Sequence, residues 1–412
     1  MRISVDHDLQ VMIDRGVWGW NRDAAHKQTR ICTGIPGIRF GLLRSKRVTY
    51  DVVRNRYFDL LRAIAIVRVV VYHATEWAFL TIAFPAMGTM FALAGSLMAS
   101  SLDRHGLRAV ALRARRLLPP LWTIAVVAVP AMLATGMAAD WRLVFWVLPL
   151  YDPPSNWWGS GILHIVWYLR EFAWFVLLSP LVLPVFRRWP VPTLVVPFAL
   201  LGSIEAGLPA IPAVRDFGLY FGCWLLGFAH HDGMLHRMRR PVLLAIAAVT
   251  ASAGAAWFLT HPSPRGYHLS DIPLGDALWS VGFVLLLLGL APERLDWLDR
   301  WRPVSWLVTT LNSRAVTVYL WHKAVIIAAG AIGLGIAARP TWWHDATPIG
   351  LVAWLVTICV GIFGCIVAFG WVEDLAARRR PVLLPRVEEW AGARTPAALS
   401  RRRVGPARAE AG

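Results

Sequence analysis

The chain has 412 residues, with 42 Lys and Arg against 25 Asp and Glu, a net charge of +17 at neutral pH. It is 57% hydrophobic and only 16% charged, with a mean hydropathy of +0.51. A soluble domain is nearer a quarter charged, so these figures exclude a disordered chain, a disulfide scaffold and an ordinary cytosolic enzyme, and point to an all-α polytopic membrane protein. The 23 Trp suit the headgroup level of a bilayer, where an amphipathic ring is stable. High basicity often signals nucleic acid, but here the Arg sit in short loops between apolar runs, which is how a membrane protein fixes its orientation; no nucleic-acid partner is expected. Of the four Cys, Cys223, Cys359 and Cys365 lie in apolar runs, and with Cys32 they form no CxxC or Cys/His pattern, so neither a disulfide framework nor a zinc site is expected.

In chain order, residues 1–54 are mixed and Arg-containing, without the apolar core of a signal peptide. They read as a structureless cytoplasmic extension. Ten apolar segments follow, each near the ~20 residues a bilayer span needs: 58–80, 84–101, 116–137, 164–186, 193–207, 213–230, 241–259, 274–291, 312–336 and 349–371. The fifth is short and carries Pro197 and Glu205; segment 141–150 is too short to span and reads as interfacial. With the N-terminus inside, inner loops carry Arg104, Arg108, Arg113, Arg115, Arg116, Arg187, Arg188, Arg237, Arg239, Arg240, Arg294, Arg300 and Arg302, against Arg142, Arg265 and Arg339 outside. This bias predicts both termini in the cytoplasm and a membrane domain over 55–374. Residues 375–412 read as a structureless basic tail able to touch anionic lipid. The longest outer loop, about 138–163, is too small for a soluble domain, and no internal repeat is visible.

The first span carries Asp59, Arg62, Arg68, His73 and Glu76. An Arg or Asp at a helix centre costs roughly 2.5–3.5 kcal/mol on insertion scales, so these side chains must face protein or water. Eleven residues at 100° each bring His73 to within about 20° of Arg62, about 16 Å along the axis. Asp59 falls one turn below Arg62 and Glu76 one turn above His73, while Arg68 is off this ridge. Arg62 is then low enough to meet an anion from the cytosol, and His73 deep enough to move a proton. A plain polar seam between helices, with Arg62 snorkelling, is the alternative.

Phe58-Asp59-Leu60-Leu61-Arg62-Ala63-Ile64-Ala65, followed by Val69-Val70-Val71-Tyr72-His73, resembles the first helix of the membrane acyltransferase type 3 family, whose hallmark is an Arg, ten residues, and a His. Arg113 and Arg116 resemble the family's Arg pair entering the third helix. Phe91 to Gly95 resembles its second helix, with Ala94 where a Ser is common. His164 to Arg170 resembles its His-aliphatic-Trp-Tyr-Leu stretch, and Ser313 to His322 its late Tyr-Leu-x-His helix. The similarity covers about residues 55–372. Arg68 departs from it, standing where the family is generally apolar; an acid such as Glu205 is a candidate partner. The esterase-like domain fused to some members, and any GxSxG elbow, are absent from this sequence.

The resemblance implies transfer of an acyl group, usually acetyl, from cytoplasmic acyl-CoA to a hydroxyl of a lipid-linked or cell-surface glycan or of a natural product; the Ala-, Arg-, Trp- and Pro-rich usage points to a GC-rich bacterial genome and so to an inner (plasma) membrane, and no metal is expected. The residue types suit that chemistry. An alcohol needs a general base, and neutral imidazole is one: His73 is the candidate, with Glu76 to orient it. CoA phosphates call for Arg: Arg113, Arg115 and Arg116, with Arg62 at the same level. His322, at a depth close to that of His73, would complete a relay, polarise the thioester or bind the acceptor, with Tyr319 one turn earlier and Lys323 adjacent. Trp167, Tyr168, Arg170 and Glu171, with Arg68, would line the acceptor cavity, the aromatics stacking on a sugar. His230-His231-Asp232 with His236 lacks the i, i+4 spacing of a helical zinc site and reads as a solvated loop. A glycan or lipid transporter is the competing reading, since buried charge also marks permeation paths; a catalytically dead scaffold is a third.

Overall fold

The computed structural model describes residues 55–263, 266–292, 295–336 and 348–384. The expected N-terminal extension, Cys32, Arg265, Arg294, Arg339 and the tail beyond 384 lie outside the described residues. Among the described residues, ten helices of sixteen residues or more lie on the ten predicted segments. They are, with the shorter ones in chain order, α1 (Arg56–Thr75), short α2 (Phe79–Ala83), α3 (Ala86–His105), α4 (Arg108–Ala134), α5 (Ser160–Arg188), α6 (Pro190–Glu205), α7 (Pro212–His231), short α8 (Met234–Arg237), α9 (Arg240–Thr260), α10 (Pro273–Gly289), short α11 (Asp296–Arg300), α12 (Arg302–Ser313), α13 (Ala315–Ile336), α14 (Pro348–Phe369) and α15 (Trp371–Ala376). No β-strand occurs among the described residues. Six of the helices, α3, α4, α5, α9, α13 and α14, are long and apolar enough to cross a membrane. Of the other four, α6 and α10 are shorter, while α1 and α7 carry charges in their spans: Asp59, Arg62 and Arg68 in α1, Arg215 and Asp216 in α7. Segment 141–150 holds only a 3-10 helix, Trp141–Trp146.

Three boundaries differ from expectation. Asn55 caps α1 by accepting from the Tyr57 and Phe58 amides, but the helix ends at Thr75, because Glu76 turns left-handed with φ 55°. The helical register expected to set Glu76 above His73 therefore does not exist. Helix α4 starts at Arg108, so Arg113, Arg115 and Arg116 sit inside a helix rather than in a loop. Helix α7 runs through His231, so His230 and His231 are its last turn, not a loop. The start of the expected basic tail is also ordered: Val382 donates its amide to Asp374 and accepts from Arg314 (2.6 Å).

Helix α3 lies along α7, α9 along α10 and α13 along α14, with α1 between α3 and α13. The α3–α7 contact is close because both sides are glycine. A Cβ on Gly95 would stand 2.3 Å from the Trp224 carbonyl oxygen, and one on Gly227 2.2 Å from that of Ala92. Small residues let helices approach where lipid gives no hydrophobic drive for association. Large apolar side chains such as Val126, Leu181, Val249 and Val360 remain exposed, as a surface facing hydrocarbon requires. Exposed Trp141 and Trp157 mark one end of the bundle, and Trp189 and Trp301 the other. Gly227→Ala should destabilise the protein by about 1–3 kcal/mol, since the obstacle is backbone. Gly330→Ala, where nothing lies within 4 Å of the added methyl, should not. Melting of the two variants in detergent checks this pair, and equal melting temperatures would contradict it.

Candidate active site

The far end of α1, the starts of α5, α7 and α10, and the middle of α13 enclose one cavity of about 710 Å³, within the range of small-molecule sites. Its wall carries many charged and aromatic side chains. It includes Arg68, His73 and Glu76 from α1 and its cap, Asp152 from the α4–α5 connection, Arg170 from α5, Asp216 from α7, and Lys323 from α13, with Tyr72, Trp167, Tyr220 and Tyr319 as aromatics. A second recess of about 30 Å³, lined by Arg68, Tyr220, Ser270, Asp276 and Ser280 among others, opens beside it.

His73 and His322 meet at the cavity wall, with ring centroids 5.2 Å apart and planes 30° from parallel. His322 itself is buried behind the wall, 1% exposed. Its Nδ1 lies 2.6 Å from the Tyr319 carbonyl oxygen. A carbonyl only accepts, so that nitrogen carries the proton and Nε2 presents a lone pair. Nε2 is buried and takes no hydrogen bond from the protein, a state that native structures rarely leave unused. The register of α13 is set from below: Glu373 accepts from the Thr317 amide (2.7 Å) and hydroxyl (2.6 Å), and buried Arg314 pairs with Asp374 (2.7 Å).

Of the residues expected in the cavity, Arg68, Trp167, Arg170 and Tyr319 line it, while Tyr168 and Glu171 do not. Tyr168 is buried among Phe91 (4.7 Å) and Tyr319 (4.9 Å). Arg170 is not free to grip a ligand. Its guanidinium donates to Glu171 (2.9 Å), Asp216 (2.7 Å) and Asp152, so it gathers three carboxylates and ties the α4–α5 connection to α5 and α7. Glu205 is exposed and is not the partner of Arg68. The carboxylate whose charge Arg68 feels most is Asp276 of α10. Glu76 lines the cavity with His73, but no hydrogen bond joins them; its charge acts on Lys323.

The opposite end is basic. Arg62 donates to Asn312 of α12 (3.4 Å), and Asn312 donates in turn to the Asp59 carbonyl (2.7 Å). Arg113 donates to the Leu97 carbonyl (2.7 Å) and lies within range of the charges of Arg116, Arg62 and Arg104. Arg115 points elsewhere, to the Ala376 carbonyl of α15 (3.1 Å). A residue 200° around the helix from Arg113 must do so, and this removes Arg115 from the cluster. Arg62 and His73 do not share one cavity, contrary to the simple ridge. Between them stand Tyr168, which feels the Arg62 charge, and Tyr319, which contacts both Tyr168 and His322.

At the same basic end Asp103, His231 and Asp232 converge. The Arg187 guanidinium already bridges both carboxylates (2.7–2.9 Å), and His231 bonds Asp103 (2.9 Å). His230 instead pairs with Ser96 (3.0 Å). The residues missed in the sequence are Asp152, Asp216, Asp276 and Asn312. For Asp216 and Asp276 a signal existed, an acid within a predicted span; for the other two nothing local distinguishes them.

A family model described as an acyltransferase domain matches residues 55–371. No curated protein and no solved structure matches the chain. The match runs from the cap of α1 to the start of α15, taking in His73, His322, the cavity and the basic end together, and so the chain belongs to the acyltransferase 3 family, as a multi-pass membrane O-acyltransferase.

Proposed function

We propose that the protein moves an acyl group, acetyl in the simplest case, from acyl-CoA to a hydroxyl of a carbohydrate acceptor at a bacterial inner (plasma) membrane. In this reading the basic end and both termini face the cytoplasm, in keeping with the positive-inside bias. The CoA phosphates lie against Arg113 and Arg116 with Arg62 above them, and the acceptor occupies the cavity at the opposite end. His73 accepts the proton of the acceptor hydroxyl as its oxygen attacks the thioester carbonyl. The C–S bond then breaks, and the imidazolium returns the proton to the thiolate of CoA. His322 stands behind His73, its ring packed 5.2 Å from the His73 ring. The thioester arm has about 16 Å to cover from Arg62 to His73, and it passes Tyr168 and Tyr319.

The observation that carries this reading is the contact of His73, on the wall of a cavity rich in charged side chains, with His322 buried behind it. The donor half is tested by equilibrium binding of labelled acetyl-CoA to the purified protein in nanodiscs. Arg113→Ala with Arg116→Ala should weaken binding at least tenfold, because a hydrogen bond to a charged group contributes ~1.5–3 kcal/mol. Arg115→Ala should leave it unchanged. Equal affinity in the double variant and the wild type would remove the donor site from this end.

A further inference from the structure

Two cations on the cavity wall each stand near a carboxylate without touching it. Arg68 and Asp276 line the same recess, yet form no ion pair. The Arg68 Nε donates to the Leu80 carbonyl (2.9 Å), and its guanidinium lies over the Tyr72 ring at 5.0 Å, while neither terminal nitrogen donates to a protein group. Asp276 accepts from Ser280 through Oδ1 (2.8 Å), and its Oδ2 accepts from no protein group. Lys323 and Glu76 repeat the arrangement on the main cavity, the Glu76 charge acting on Lys323 with no hydrogen bond between them. Arg68 and Glu76 lie five residues before and three after His73, so the two separated pairs flank the imidazole. Trp167, between these walls, has one ring face stacked on Tyr220 (5.3 Å, 24°).

A separated cation–carboxylate pair is suited to a group that both donates and accepts. A hydroxyl does this: its proton goes to the carboxylate and its lone pairs to the cation. A carboxylate or phosphate in the same place would meet Asp276 or Glu76 as a like charge, and an ammonium would meet Arg68 or Lys323. Asp152 and Asp216 do not alter this balance, because Arg170 occupies both; of the other charged groups on the wall, Arg215 contacts Asp216 (3.3 Å) and Asp271 accepts from Ser263 (3.4 Å).

We infer that the acceptor ring is an uncharged pyranose, with one hydroxyl bridging Arg68 and Asp276, another bridging Lys323 and Glu76, and the ring face resting on Trp167. These four side chains thereby select neutral sugars against acidic ones. The inference rests on acyl transfer from CoA, and the test separates the two. Full-length protein in nanodiscs is given labelled acetyl-CoA with methyl hexopyranosides, with the matching methyl uronosides, and with the matching 6-phosphates. The wild type should acetylate neutral rings with at least tenfold higher kcat/KM than either acidic form. Asp276→Asn and Glu76→Gln should each narrow that ratio at least tenfold, a change that a general loss of folding or rate would not produce. Arg68→Gln should raise KM for the neutral sugar and leave KM for acetyl-CoA unchanged. Preference of the wild type for a uronoside or phosphate, transfer to no sugar of the panel, or an unchanged ratio in both neutralised variants would overturn the assignment. Absence of acetyl-CoA binding by the wild type would instead overturn the donor reading beneath it.

Discussion

His73→Ala should lower acetyl transfer by about 10²–10⁴-fold, the usual contribution of a positioned general base, with acetyl-CoA binding and melting temperature unchanged. The imidazole lines the cavity and contacts His322, so it is the one of the two that an acceptor hydroxyl can reach. On the proposed reading His322 acts through it, and a pair of substitutions distinguishes that role from packing. His322→Asn can keep the hydrogen bond that Nδ1 gives to the Tyr319 carbonyl but supplies nothing at Nε2; His322→Gln reaches the Nε2 position. If the buried Nε2, which takes no hydrogen bond from the protein, accepts one during transfer, Asn should lose nearly as much rate as Ala while Gln retains part of it. If His322 only fills space, Asn and Gln should differ little. Retention of more than a tenth of wild-type transfer by His73→Ala, assayed with saturating acetyl-CoA, would take the base assignment away from this residue.

Linear pattern carried the helical architecture and one axis of the site. Apolar runs bounded by Arg-rich loops are a local signal, and each has a helix on it. The eleven-residue step from Arg62 to His73 is likewise a property of one helix, and it separates the two by about 16 Å along its axis. What sequence could not reveal is which neighbour each side chain meets. The carboxylate whose charge Arg68 feels most is 208 positions away in α10, and an acid within a predicted span does not say which neighbour it meets. Likewise Asp152 and Asp216 become ligands of Arg170 only when α5 packs beside α7. The misplacement of Glu76 has a different origin. Helical phase does not continue across Glu76, which takes the left-handed conformation, and a non-glycine residue gives little warning of that. The four helices that fall short of the length or apolarity of a free-standing span are partly explained by their setting: α7 is largely buried among its neighbours, and the charges of α1 face protein and cavity rather than lipid.

Replacing Arg170 should have the largest effect on stability. Its side chain is 1% exposed and is the common partner of Asp152, Glu171 and Asp216, with Arg215 giving Asp216 only a longer contact (3.3 Å). Arg170→Met keeps much of the volume and removes the charge, leaving three carboxylates together, one of them, Glu171, as buried as the arginine. Breaking a buried pair on one side costs about 3–5 kcal/mol, and the planar fork that reaches three acceptors cannot be reproduced by a lysine. Arg170→Lys should therefore recover only a minority of the loss. The effects should be graded by burial. Asp152→Asn removes a partner whose side chain is 36% exposed and should cost about 1 kcal/mol, in the range of a surface pair. It should loosen the α4–α5 connection over the cavity, so that acceptor KM rises while the melting temperature barely falls. Melting in detergent across Arg170→Met, Arg170→Lys and Asp152→Asn would show that order if the arginine is the keystone of this wall. A wild-type melting temperature for Arg170→Met would mean that water, not Arg170, neutralises the three acids.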